Sequence, residues 1–155
     1  MKVFLYRLWQ WTWGIPQSLL GLMVYLQNRK QPHFSFHGSL VTLWKNKSSV
    51  SLGMFVFVTD EPYFCDKLKE EYSREELSRR LLVHEYGHTI QSLLLGPLYL
   101  VVMGIPSTLW GFLPCAAKLR KEKPLSYFAF FTESWANHLG EKATGEKAME
   151  QLLID

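Results

Sequence analysis

Two histidines and a glutamate stand together in His84-Glu85-Tyr86-Gly87-His88. On a helix, residues four apart share one face, one turn above the other, so both imidazoles can reach one metal ion. Glu85, rotated roughly 100° from His84, stays near the same edge and can hold a water on that metal. The chemistry this spacing points to is zinc-assisted hydrolysis. The metal brings the pKa of a water toward about 7, and Glu85, as general base, takes the proton and passes it to a leaving amine.

The segment around the motif has the ends of a helix over residues 73–96. Ser73 is an N-cap with Glu76 three residues on, and Tyr72 and Leu77 flank it as a hydrophobic staple. Leu77, Leu81, Leu82, His84, His88 and Leu95 recur at helical spacing, and Gly96-Pro97 stops the run. The two histidines therefore fall in mid-helix, with apolar residues before and after them.

A catalytic zinc site takes three protein ligands and keeps one position open. Residues 89–121 hold no Asp, Glu or His, and Cys115 is the only donor of weight there. Glu133 is the best remaining donor. It lies in a second helix over residues 126–140, among aromatic residues, where a lone carboxylate is costly unless it is paired or bound to metal. His138 is the runner-up. Asn137, one turn beyond Glu133, can orient a ligating imidazole, His84 in the first place. Glu122, Glu141, Glu146 and Glu150 sit in lysine-rich surroundings and read as solvated charges. Tyr99, Tyr127 and His138 are all open as donors to a developing oxyanion. A metzincin-like continuation is excluded by Gln91 and Leu94, and the only Asp after the motif is Asp155.

His84-Glu85-Tyr86-Gly87-His88 followed by helical Glu133-Ser134-Trp135-Ala136-Asn137 resembles the gluzincin branch of zinc metallopeptidases. The resemblance implies a zincin-like domain in which His84, His88 and Glu133 bind zinc and Glu85 is the general base. Asn137 stands where that family commonly has an Asp supporting the first histidine. The 45 residues from His88 to Glu133 are a long gap for the thermolysin type and suit membrane-associated relatives with an apolar insertion.

The rest of the chain sets the frame. With 155 residues, 48% of them hydrophobic and 15% aromatic, it reads as a single α+β domain, mostly helical, with a small β-hairpin or sheet beside the metal helix. The hairpin is expected from residues 39–44 and 50–58 around a polar turn at 45–48, with Gly53 marking a bulge or a close backbone approach. A net charge of +3, without basic and aromatic residues interleaved, argues against nucleic acid as a partner. Cys65 and Cys115 show no metal or redox spacing, which suits a reduced, cytoplasmic compartment. Residues 1–30 form an apolar aromatic segment, with Trp9, Trp11 and Trp13 beside Lys2, Arg7, Arg29 and Lys30. That composition suits a membrane interface, or else a cover for the core. Residues 97–117 carry no charge and read as an apolar helical hairpin broken at Gly104-Ile105-Pro106, with a basic cluster after it. The expected activity is peptide-bond hydrolysis on a peptide or protein substrate, near a membrane. Two other classes remain open at this point: a non-catalytic, membrane-associated zinc-binding or scaffold protein, and a zinc hydrolase of a non-peptide amide. Cys115 or His138 as a fourth ligand would favour the scaffold class.

Overall fold

The structure is a computed structural model that describes residues 3–59, 68 and 71–149. The readings that fell on Cys65, Glu150 and Asp155 lie outside these residues. The described chain is α+β, with six α-helices and one four-stranded mixed sheet.

Two short helices come first, α1 (Val3–Thr12) and α2 (Ile15–Gln27), joined by an elbow at Trp13-Gly14. The sheet follows: β1 (His33–Phe36), β2 (Ser39–Trp44), β3 (Val50–Leu52) and β4 (Phe55–Thr59), in spatial order β1-β2-β4-β3. The expected pairing of 39–44 with 50–58 as one hairpin is corrected here. Residues 50–58 are themselves a hairpin, turned at Gly53 with φ 63°, and β4 then runs parallel to β2 with Val41 opposite Val56. The second hairpin, β1 with β2, was not expected from the sequence. The central place of β4 explains its composition. All five residues of Phe55–Thr59 are buried, as a strand covered on both faces requires.

The motif helix α3 (Arg74–Leu95) crosses this sheet. Ser73 Oγ accepts the Glu76 N–H at 3.1 Å, a cap that stabilises a helix by about 1 kcal/mol. The other half of the expected capping box is absent. The Glu76 carboxylate instead accepts from Arg80 at 2.8 Å, one turn on. Residues 81–89 are buried without interruption, so α3 is enclosed all round in its middle rather than amphipathic. Phe36, Val41, Phe57, Leu77 and Val83 form the core between sheet and helix.

After a 3-10 turn (Gly96–Leu98) the chain makes a π-helical turn (Leu100–Gly104) that runs directly into α4 (Ile105–Phe112). The break expected at Gly104-Ile105-Pro106 is displaced to Leu113, ahead of Pro114. Pro106 is accommodated within the helical run, just after the π-helical turn, whereas Leu113 is extended, as the residue before a proline prefers. Helix α5 (Pro114–Glu122) and a 3-10 turn (Tyr127–Ala129) lead to α6 (Phe131–Thr144). The expected helix over 126–140 thus begins five residues later, at Phe131. It runs past Gly140 to end at Gly145, which takes the left-handed conformation at φ 75°.

Candidate metal centre

Helices α3 and α6 make the closest packing in the fold, and glycine makes it so. A Cβ on Gly87 would lie 1.8 Å from the Ala136 carbonyl oxygen, and one on Gly140 would lie 2.2 Å from that of Val83. Only backbone fits at either crossing. This approach carries Glu133 and Asn137, on the first two turns of α6, against His84 and His88 in the middle of α3.

The result is a three-ligand group. One donor atom each from His84, His88 and Glu133 lies within 4.8 Å of the others, and all three residues are buried. Glu133 Oε2 stands 3.2 Å from His84 Nε2 and 3.4 Å from His88 Nε2. The other carboxylate oxygen, Oε1, accepts from Ser107 Oγ at 2.5 Å and from Thr132 Oγ1 at 2.8 Å. Two hydroxyls therefore hold Oε1 while Oε2 faces the histidines.

The tautomers follow from groups with only one possible role. Asn137 accepts the backbone N–H of Met149 at 3.2 Å, so its carboxamide oxygen, not its nitrogen, faces that way. The same oxygen is 2.8 Å from His84 Nδ1, which must therefore carry a proton. Gln91 donates through its Nε2 to the carbonyl of Thr132 at 2.8 Å, which turns its oxygen toward His88 Nδ1, 2.7 Å away. Both imidazoles thus donate at Nδ1, and in the neutral ring each presents the Nε2 lone pair to the centre. A metal-ligating histidine is characteristically held in this way by an acceptor on its far nitrogen. The donor set fits a metal ion on this ground, and the group could hold one.

Electrostatics in the metal-free group point the same way. Burial pushes the His88 pKa down, but the Glu133 carboxylate, aided by Glu85 and Gln91, outweighs it and raises the pKa from 6.5 to about 9. Burial pushes the Glu133 carboxyl up, yet the two histidines hold it well below the usual carboxylate range. A proton on His88 balances the buried carboxylate, in the position a cation would take.

Glu85 lies beside this group without joining it. Ser51 Oγ, on the edge strand β3, lies 2.8 Å from both the carbonyl oxygen and Oε2 of Glu85, and its single proton anchors the residue to the sheet. A cavity of about 730 Å³ opens over the centre. Its walls include β3, His84, Glu85, His88, Glu133 and the inner side of residues 99–112. Tyr99 also lines it, and its buried hydroxyl donates to the Ser51 carbonyl at 3.2 Å. Burial, with the nearby Glu85 and Glu133 charges, drives the Tyr99 pKa far upward, so the phenol stays a donor.

The structure brings His84, Glu85, His88, Glu133 and Asn137 to one place. Tyr127 also reaches the cavity wall, but His138 does not: it is exposed on α6. Cys115 is exposed and unpaired with any other cysteine. Among the described residues, no fourth His, Cys, Asp or Glu joins the group. Sequence reasoning missed Gln91, Ser51, Ser107 and Thr132. Gln91 was within reach, since it follows His88 by three residues on one helix face. Ser51 and Ser107 come from elements whose approach no local pattern encodes. No family model, curated protein or solved structure matches this chain.

Proposed function

We infer that this chain is a zinc-dependent metallopeptidase of gluzincin-like construction. The observation that carries the reading is the buried convergence of His84 Nε2, His88 Nε2 and Glu133 Oε2 beside the carboxylate of Glu85, at the base of an open cavity. Two imidazoles and one carboxylate suit zinc among the common metals. When bound, zinc would acidify a water and polarise the carbonyl that the water attacks.

The chain's own residues supply the remainder. Glu85, anchored by Ser51, would take the proton from the attacking water and deliver it to the leaving amine. Asn137 and Gln91 keep both imidazoles in the ligating tautomer. Ser107 and Thr132 hold the Glu133 carboxylate to one ligating oxygen. Strand β3, at the edge of the sheet among the described residues, borders the cavity, and an extended peptide laid along it would pass beside Glu85. The Tyr99 hydroxyl would donate to an oxyanion only by releasing the Ser51 carbonyl, and Tyr127 lines the same cavity.

The test is Glu85→Gln. The variant keeps its zinc and loses peptide cleavage by at least about 100-fold, as removal of a general base requires. Cleavage at the parent rate by zinc-loaded Glu85→Gln protein would refute the mechanism.

A further inference from the structure

Helices α1 and α2 are built inside out for a protein surrounded by water. Their buried residues include Gln10, Gln17 and Ser18, all fully enclosed. Gln10 donates to the Thr89 carbonyl at 3.0 Å, and its carboxamide oxygen accepts from Ser92 at 2.9 Å. Gln17 donates to Ser92 at 2.8 Å and to the Gly96 carbonyl at 3.0 Å. The polar side chains thus join these helices to α3. Tyr6 is buried and Leu22, Val24 and Tyr25 pack on the core, but most of their large apolar side chains, among them Phe4, Leu8, Trp9 and Met23, point outward. A water-facing helix does the reverse. Polar residues between helices and apolar residues outside is the arrangement of helices facing lipid.

The outward apolar face continues onto a second segment. Of the twenty-four exposed large apolar side chains among the described residues, twelve lie in residues 3–26 and eight in residues 94–113, of which Ile105, Leu109 and Phe112 border the cavity. The two segments are neighbours. The Trp9 indole donates to the Leu93 carbonyl at 3.2 Å, the Trp13 ring lies against Gly96, and α2 packs on the Gly96–Leu98 turn. Leu98 and Val101, at 61% exposure each, protrude from this segment outside the cavity wall.

Charge defines the border of this face. Residues 97–117 carry none, and the one charge in α1, Arg7, is exposed and donates to the Gly38 carbonyl at 3.0 Å, beside the β1–β2 turn. Exposed Arg29 and Lys30 follow α2, and exposed Lys118, Lys121 and Lys123 follow the second segment. Tryptophans at the elbow and cations at the margin are the interfacial anchors of a bilayer.

Length limits the depth. Among the described residues, no single helix is long and apolar enough to cross a membrane. Helix α2, with 13 residues, is roughly 20 Å long against a hydrocarbon core of about 30 Å. The long bent pair, Arg74–Leu98 with Leu100–Phe112, folds back at 119°.

We propose that the outer face of α1, α2 and residues 94–113 docks into one leaflet of an anionic phospholipid bilayer, with Trp9, Trp11 and Trp13 at the headgroup level and the flanking lysines and arginines on the phosphates. The inner side of α4 supplies Ser107 to Glu133, so the metal centre lies just above the docked face. The docking does not depend on the peptidase reading and is measured without substrate.

The experiment is flotation of the full chain with vesicles of phosphatidylcholine plus phosphatidylglycerol, or of phosphatidylcholine alone, with tryptophan quenching by brominated acyl chains. The chain is expected to float with the anionic vesicles, to bind neutral ones at least about tenfold more weakly, and to be quenched by shallow bromines. The double variant Leu98→Glu, Val101→Glu alters two exposed side chains that lie outside the cavity wall; its binding should fall by at least about tenfold, while its circular dichroism and zinc content match the parent. Three results would overturn the proposal: a chain that stays at the bottom with anionic vesicles, undiminished binding by the folded double variant, or a stable dimer in which the same two substitutions abolish self-association and no vesicle binding is seen. The last result would assign the face to a second copy.

Discussion

The carboxamide oxygen of Asn137 lies 2.8 Å from His84 Nδ1, and a backbone N–H from Met149 fixes which end of the amide faces the ring. One residue on α6 thereby sets the protonation pattern of a histidine on α3. An aspartate would accept the same two hydrogen bonds with a full charge. The chain gives up that added basicity while keeping the geometry, in a pocket that already buries Glu133.

Replacing Asn137 tests this arrangement. Asn137→Ala is expected to weaken zinc binding by about 10- to 100-fold, the usual loss when a metal-bound histidine is deprived of its acceptor. Asn137→Asp should keep parental affinity or better it. Competition with a chelating dye reads both. Unchanged affinity in Asn137→Ala would mean that His84 is oriented by something else.

The contact of Ser51 with Glu85 links the sheet to the proposed general base. Ser51→Ala is expected to lower kcat by about tenfold, because a carboxylate displaced from its working geometry loses rate steeply. Zinc content should not change, since Ser51 touches no ligand. A fall in zinc content with kcat per bound zinc intact would contradict this division of roles.

Gly140 tests how the centre is assembled. In Gly140→Ala the added methyl would meet the Val83 carbonyl at 2.2 Å, a backbone atom that cannot swing away. The helices must separate, at an expected cost of about 1–3 kcal/mol or more. Zinc affinity should fall with it, because Glu133 and Asn137 ride on the same helix. Thermal unfolding with and without chelator measures both effects. A folded variant of parental stability and affinity would show that the close approach is dispensable.

How much of this was legible in the chain depends on the range of the interaction. Helix α3 was readable because its cap at Ser73, its apolar spacing and its stop at Gly96 are all local. Glu133 and Asn137 were readable because a carboxylate among aromatic residues needs a reason. The parallel pairing of β2 with β4 was not, because two separate hairpins meet in space and the turn at Gly53 is only two residues long. The end of the third-ligand helix was misplaced because Gly140 reads locally as a stop. Its actual role is to admit the Val83 carbonyl, which is 57 positions away in sequence.

The pH dependence follows from the two shifted groups. In the metal-free chain, the raised pKa of His88 gives a stabilisation fully present below 6.5 and lost as pH rises through about 9. The lowered pKa of Glu133 gives a contribution present above 4.5 and lost as pH falls through its depressed value. Apart from other groups, metal-free stability should therefore be greatest between 4.5 and 6.5 and decline toward 9. Zinc affinity should run the opposite way and rise with pH up to about 9, because the histidine proton must leave. Calorimetric titrations at neutral pH, in buffers of different ionisation enthalpy, should show proton release. Binding without proton release would contradict the raised pKa of His88.

The most direct measurement is elemental analysis of chelator-washed, zinc-reloaded protein beside its Glu133→Ala counterpart, each checked for folding by circular dichroism. The three-ligand centre predicts about one zinc per parent chain and loss of that zinc in the folded variant. A parent chain that takes up no zinc, or a variant that keeps it with unchanged affinity, would contradict the account.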